Sequence, residues 1–241
     1  MAEALDKIVD HPDDPPSLYI DLEGVKLLRD GTISTMQLFV APLGTTYLID
    51  IYSMQSTAFT TRGRKSNRSL QDVLESGATT KVFFDVRNDS GALFSHYSIR
   101  LRGVADLQLM ELAARSYGSR RFVNGLAKCI ERDLGLSPAE KRAWAEGKER
   151  GLALFHPDRG GDYEVFNQRP LAQELKGYCV ADVRFLPRLW AVYDIKIAAR
   201  WRPRLRSATE SRVRRVRESQ SATYNPHGPE RARAPSTLEY H

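Results

Sequence analysis

Carboxylates stand in or just beyond apolar runs at three widely separated places, and this constrains the chain more than any other feature. They are Asp21 and Glu23 in SLYIDLEG, Asp89 in KVFFDVRNDSGAL, and Asp182, with Tyr178, in YCVADVRFL. An unpaired carboxylate is expensive to bury in apolar surroundings. Four of them brought together would repel unless positive charge sat among them. Hard oxygen donors of this kind suit divalent magnesium or manganese. The chain must therefore fold so that these segments meet around a cation, or keep each acid separately solvated or paired.

Turn chemistry and hydrophobic period divide the chain. Residues 1–16 end in Pro12 and the Pro15-Pro16 pair and read as a flexible leader. Strand-like runs follow at 17–22, 33–41 and 46–51, separated by Asp30-Gly31 and by Pro42-Leu43-Gly44, which predicts two successive hairpins and a β-meander. SLQDVLES (69–76) predicts a short helix. Residues 81–86 are apolar enough for a central strand. Asn88 to Tyr97 opens with good N-cap chemistry and turns helical. A further strand is expected at 99–104. Beyond Asp106, DLQLMELAARSY, VNGLAKCIERDLGL and SPAEKRAWAEGKER carry apolar positions at three-to-four spacing, so this half is helical. Residues 151–170 read as a long loop. A last helical region starts near Leu171, and Pro187 should bend or divide it.

Composition adds mainly exclusions. No run approaches the ~18 apolar residues of a membrane span, so no membrane partner is expected, and no secretory signal is visible at the N-terminus. Cys129 and Cys179 are the only cysteines, which favours reduced thiols and a location in cytoplasm or nucleus. The formal charge of +6 is concentrated at one end: residues 200–241 hold ten Arg against four Glu. Residues 203–241, rich in Arg, Ser and Pro, are expected to be a basic, disordered tail that adds affinity for polyanions while remaining dispensable for the core.

Each acid also has an ordinary reading. Asp21 and Glu23, two apart on a strand, point to one face, as solvated acids at a strand end do, with Gly24 allowing close approach of a ligand. Asp89 can cap the helix that follows it, and Asp85 or Asn88 can do likewise. Tyr178 and Asp182, four apart, stack on one helical face, as a core tyrosine beside a salt-bridged acid would. Phe39, Tyr52, Phe94 and Tyr97 are candidate base-stacking residues or core. Arg87 and Arg184 lie beside the motifs and are candidates for phosphate or for surface ion pairs. His96 and His156 lack a second histidine at metal spacing.

Taken together, Asp21/Glu23, Asp89 and Tyr178-x-x-x-Asp182 resemble the three motifs of the DEDDy group of 3′–5′ exonucleases, the ribonuclease D-like branch of the ribonuclease-H-like superfamily. DLQLMELAAR and VFNQRPL are similar to that family's wording, and the likeness runs over about residues 17–195. Gly177 stands where the histidine branch would place its histidine. In the second motif Phe84 occupies a position often taken by His or Asn, and Asp85 one that is usually not acidic.

The resemblance implies an α/β fold: a ribonuclease-H-like mixed sheet, its three-stranded meander followed by further strands, flanked by helices, with a helical second half. The collapse in composition after Trp201, read beside this likeness, sets the domain at 17–202. The resemblance also implies phosphodiester hydrolysis from the 3′ end of single-stranded RNA or DNA with two divalent cations, Mg2+ or Mn2+, about 4 Å apart. Asp21 would bridge both ions, Glu23 and Asp182 would complete the site nearer the attacking water, Asp89 would hold the second ion, and Tyr178 would orient the water. The rival expectation is a catalytically silent nuclease-like domain acting as an RNA-binding or protein-interaction adaptor. Such adaptors tend to lose acids, whereas all four acids and the tyrosine are present here.

Overall fold

The apolar runs predicted as a meander pair as one. In the computed structural model, which describes residues 1–9, 11–27, 30–218 and 232–239, β1 (Leu18–Glu23), β2 (Thr35–Val40) and β3 (Thr45–Asp50) are successive antiparallel neighbours. Gly44, at φ 59°, closes the β2–β3 connection in the left-handed region that glycine adopts without strain. β4 (Lys81–Phe83) pairs parallel to β1, and β5 (Val104–Asp106) parallel to β4, giving the order β3-β2-β1-β4-β5. β1 is thus central and hydrogen-bonded on both sides. Its side chains alternate: Leu18, Ile20 and Leu22 enter one core, while Tyr19 enters the other.

Helices cover both faces of this mixed sheet. After α1 (Ala2–Ile8), two single turns, α2 (Ile51–Met54) and α3 (Thr57–Thr60), lead to α4 (Leu70–Glu75), which a Ser69–Asp72 capping box starts. α5 (Arg87–Tyr97) follows β4. α6 (Leu107–Ala114), α7 (Leu126–Asp133) and α8 (Pro138–Phe155) begin the helical half, and α9 (Gln173–Arg184) and α10 (Leu186–Lys196) continue it. Pro187 lies in the first turn of α10, where its missing N–H does no harm, so the expected helix is divided as predicted. α11 (Arg202–Glu218) and the short α12 (Ser236–Glu239) complete the described chain. Among the described residues no helix is long and apolar enough to cross a membrane.

Several expectations are corrected. The leader is not free: α1 places Leu5, Ile8 and then Val9 in the core, and Asp6 accepts hydrogen bonds from the Lys65 and Ser66 amides. The Pro-rich stretch only joins this helix to β1. β5 lies later than the run at 99–104. Ile99 and Leu101 are buried as expected, but Ser98 and Gly103 both adopt positive φ, so the apolar signal reported packing and not pairing. α8 runs on to Phe155, and the segment expected as a long loop holds two 3-10 turns, Pro157–Arg159 and Tyr163–Asn167.

The largest correction concerns the tail. Residues 202–218 form a helix packed on α5, α6 and β5. Leu205, Ala208, Thr209, Arg212 and Val213 recur at helical spacing, and the last four are buried. Small apolar residues between arginines made this stripe look disordered by composition. Residues 232–234 return beside 121–123, with hydrogen bonds from Val123 N to Ala232 O and from Ala234 N to Arg121 O, both 2.9 Å, and Leu238 is fully buried. The expectation for 219–231 lies outside the described residues.

Candidate active site

β1 carries Asp21 and Glu23 on one face at its C-terminal end, opposite Gln37 and Thr35 of β2. Both acids are half-buried. Gly24 follows, and its smallness serves the backbone: a Cβ there would lie 2.0 Å from Thr32 O. It admits the returning chain, where Ser34 N donates to Glu23 O at 2.8 Å, so the expected role in admitting a ligand gives way to a structural one.

α9 crosses β1, β2 and β3 and delivers the buried Asp182 to this end of the sheet. One carboxylate oxygen from each of Asp21, Glu23 and Asp182 lies within 4.8 Å of the others. Among the described residues this is the single group of carboxylates, imidazoles or thiols so arranged. Asp89 approaches from α5, and its Oδ1 accepts from Leu22 N at 3.1 Å, tying α5 to the strand segment between the two acids. Its charge reaches Asp21 and Glu23.

The second motif's other acid has a different task. Asp85, at φ 63°, holds Arg87 through two hydrogen bonds of 2.5 and 2.8 Å and lies 3.6 Å from the Arg212 guanidinium. Arg87 is therefore ion-paired. Behind them the fully buried Asp106 accepts from the amides of Asp85 (3.0 Å), Val86 (3.3 Å) and Gln108 (3.0 Å), and from Arg212 Nη1 (2.7 Å). This network shapes the turn from β4 into α5 and so sets where Asp89 stands.

Electrostatics make the cluster suited to a cation. Burial first, then Asp89, Glu23 and Asp182, push the Asp21 carboxyl well above the usual carboxylate range. Burial first, then Asp182, push Glu23 up to about 8. Asp182 is likewise raised by burial, against the pull of Lys148. Burial, followed by the charges of Asp182, Glu23 and Asp21, raises the Tyr178 phenol, keeping it protonated at neutral pH. Three convergent oxygen donors that resist ionising without positive charge fit a hard divalent ion.

Sequence reasoning missed Lys148. Its ammonium pairs with Asp182 and lies 3.6 Å from the centroid of the Tyr178 ring. It reaches there because α8 packs tightly on α9 at Gly151, where a Cβ would come within 2.6 Å of the Tyr178 side chain. A lysine one turn before a glycine was the available signal, but on a helix rich in charge it looked like solvated surface. Arg169 was also missed: it bonds Asp50, Ser34 O and Phe166 O, anchoring the segment before α9 to the sheet. Asn167 adds a bond from Ser34 Oγ at 2.6 Å.

The remaining candidates scatter. Tyr97 packs on Phe59 and Phe39 lies edge-on to Tyr19. Tyr52 sits beneath Arg169, and Phe94 beside Arg100. Arg184 lies on the exposed side of α9 beside Phe185. His96 and His156 join no metal-ligand group among the described residues, and both cysteines are buried free thiols.

Comparison with known proteins bears on the fold and the family. The fold is shared with Trypanosoma brucei RNase D, solved as a GMP complex, at 20% identity over 98% of this chain and 67% of that one, with TM-score 0.72. Brucella melitensis NrnC aligns at 18% identity over 93% of this chain and 94% of its own, TM-score 0.62. Escherichia coli RNase D, described as an exoribonuclease involved in structured RNA processing, aligns at 18% identity over 84% of this chain, which spans 45% of that chain, TM-score 0.55. No curated protein matches by sequence. Residues 1–192 match the family model of the 3′–5′ exonuclease, so the chain belongs to the 3′–5′ exonuclease family.

Proposed function

We propose that this exonuclease shortens single-stranded RNA or DNA from the 3′ end with two divalent cations, Mg2+ or Mn2+, held by Asp21, Glu23, Asp89 and Asp182. The observation that carries the reading is the convergence of Asp21, Glu23 and Asp182 within 4.8 Å at the end of the central strand. Bound there, the ions would supply charge stabilisation on the scissile phosphate and a lowered pKa for a coordinated water. Asp21, which feels the charges of Asp89, Glu23 and Asp182 together, would hold cations jointly with Glu23 and Asp182 and with Asp89.

Tyr178 acts as a hydrogen-bond donor. Its raised pKa leaves the hydroxyl protonated, so it orients the attacking water and does not serve as a base. Lys148 offsets part of the cluster's negative charge and holds Asp182 in place while lying over the Tyr178 ring. RNA is the first substrate to test. T. brucei RNase D has been solved with RNA U12, and NrnC with Mg2+ and with pGG.

The test is incubation of purified protein with 5′-labelled single-stranded RNA and DNA in Mg2+, Mn2+ or chelator. A ladder of 3′-shortened products that needs metal is the expected result. Tight binding of intact strands with no shortening in any metal would replace catalysis with the adaptor role.

A further inference from the structure

Away from the acids, arginines from two parts of the chain meet at one buried indole, and a third part adds another beside them. Trp201, just before α11, has the Arg120 guanidinium 4.6 Å and the Arg204 guanidinium 5.1 Å from its ring centroid. Arg120 is fixed further by hydrogen bonds to Leu112 O and Arg115 O. After burial, the charges of Arg200 and Arg115 are the next influences lowering its pKa, which places those cations close by. Residues 232–234 run antiparallel to 121–123, so the exposed Arg233 stands opposite Phe122 and next to the exposed Arg121.

Aromatic surface accompanies the charge. Tyr117 is 93% exposed and Phe122 49%, both in the loop that supplies Arg120 and Arg121. Residues 115–122 contain three arginines and no acid, and 199–206 four arginines and no acid. Arg115 and Arg202 pair with Glu111 and Asp194, so the outward positive charge of this patch is carried by the exposed Arg121, Arg200 and Arg233. A platform of guanidinium groups with an upstanding tyrosine matches a phosphate backbone carrying flat bases, since stacking is indifferent to base identity and the cations follow the phosphates.

We propose that this platform is an accessory track for single-stranded nucleic acid, engaging nucleotides upstream of the 3′ end that the acids receive. The exonuclease reading enters only through that polarity of the strand. α6 starts at the C-terminal end of β5 and, at eight residues, spans roughly 12 Å before the 115–122 loop begins. A strand must therefore extend well beyond the acidic end of the sheet to touch the platform. A dinucleotide would not reach it.

The experiment compares wild type with Arg121→Gln/Arg200→Gln/Arg233→Gln and with Tyr117→Ser. These side chains are exposed and belong to no part of the acidic cluster. Affinity for labelled strands of about 24 nucleotides is measured in chelator across a salt series, and KM and kcat in Mn2+ are measured for strands of about 24 nucleotides and for a dinucleotide. If three phosphate contacts are lost, the slope of log affinity against log salt flattens by about 2, with affinity for the long strand down about tenfold or more at ~0.1 M salt. Tyr117→Ser weakens the long strand about fivefold or more. KM for the 24-mer rises, kcat is unchanged, and the dinucleotide is cut as before.

Lysine at the three arginine positions restores the slope, because it restores the charge. Unaltered long-strand affinity and slope in the folded glutamine variant overturn the proposal, as does equal loss on both lengths. If wild type cuts neither length, the exonuclease reading fails, while the binding series in chelator still decides the platform.

Discussion

Replacing Arg212 with methionine takes the cation from a carboxylate that has no access to water. Asp106 is fully buried, and Arg212 Nη1 lies 2.7 Å from its Oδ2. Breaking a buried ion pair from one side costs about 3–5 kcal/mol, because the remaining charge is left uncompensated. Asp106 keeps three backbone N–H donors, which argues for the lower end, about 3 kcal/mol. For a chain this long that is a fall in Tm of roughly 6–12 °C. Urea denaturation of wild type, Arg212→Met, Asp106→Asn and the double variant gives the coupling, expected at about 1–3 kcal/mol. Because Asp106 also holds the amides of Asp85 and Val86, the single variant should bind Mn2+ more weakly, readable by calorimetry well below its melting temperature. A variant within 0.5 kcal/mol of wild type would falsify the network as a support for the second motif, and so would stability loss with unchanged Mn2+ affinity.

Four other outcomes follow from the same geometry. Asp89→Asn should lower kcat/KM by at least about a hundredfold, whereas Asp85→Asn, which suits a left-handed backbone, should cost stability by about 1–3 kcal/mol and leave turnover within a few-fold; the reverse pattern would transfer the metal role to Asp85. Tyr178→Phe keeps the ring contacts with Phe155 and Lys148 and should drop kcat about ten- to a hundredfold with Mn2+ affinity unchanged, which single-turnover kinetics and calorimetry separate. With chelator present, stability should fall as pH rises from about 4.5 to about 8: Glu23, raised to about 8, stays protonated in the folded protein over a range where the unfolded chain has released its proton. Glu23→Gln should flatten that slope in thermal melts at stepped pH, and a profile rising over this window would contradict the raised pKa. Deletion after Arg202 should expose the faces of α5 and α6 that α11 covers and abolish cooperative unfolding by circular dichroism, whereas a truncated chain that still unfolds cooperatively would return the tail to the role its composition suggested.

Much of the candidate site was readable from local pattern. Asp21 and Glu23 could be placed on one face because side chains alternate along a strand, and Tyr178 and Asp182 because i and i+4 share a helical face. Pro187 could be read because its effect is confined to one helical turn. Choosing Asp89 over Asp85 was harder, since both follow the same strand. Their partners distinguish them, and this is the ground for proposing Asp89: Asp85 is engaged by Arg87 and faces Arg212, whereas Asp89 accepts from the Leu22 amide between the two acids of β1. The β5 boundary failed because buried apolar residues at 99 and 101 pack without pairing.

The sequence by itself determined the elements and the kinds of chemistry they carry: a meander, a helical second half, four acids with a tyrosine, and an arginine-rich end. These follow from short-range rules, in which a residue's neighbours in the chain are also its neighbours in space. Tertiary structure alone decided which cations those acids meet. Lys148 enters the cluster 34 residues before Asp182, and Arg212 reaches Asp106 across 106 positions. It also decided that the arginine-rich end is partly core, because the stripe of Leu205, Ala208, Thr209 and Val213 is too small to register in composition. That stripe becomes stabilising only when α5 and α6 present a surface for it to cover, and this complementarity exists between distant segments and not within either one.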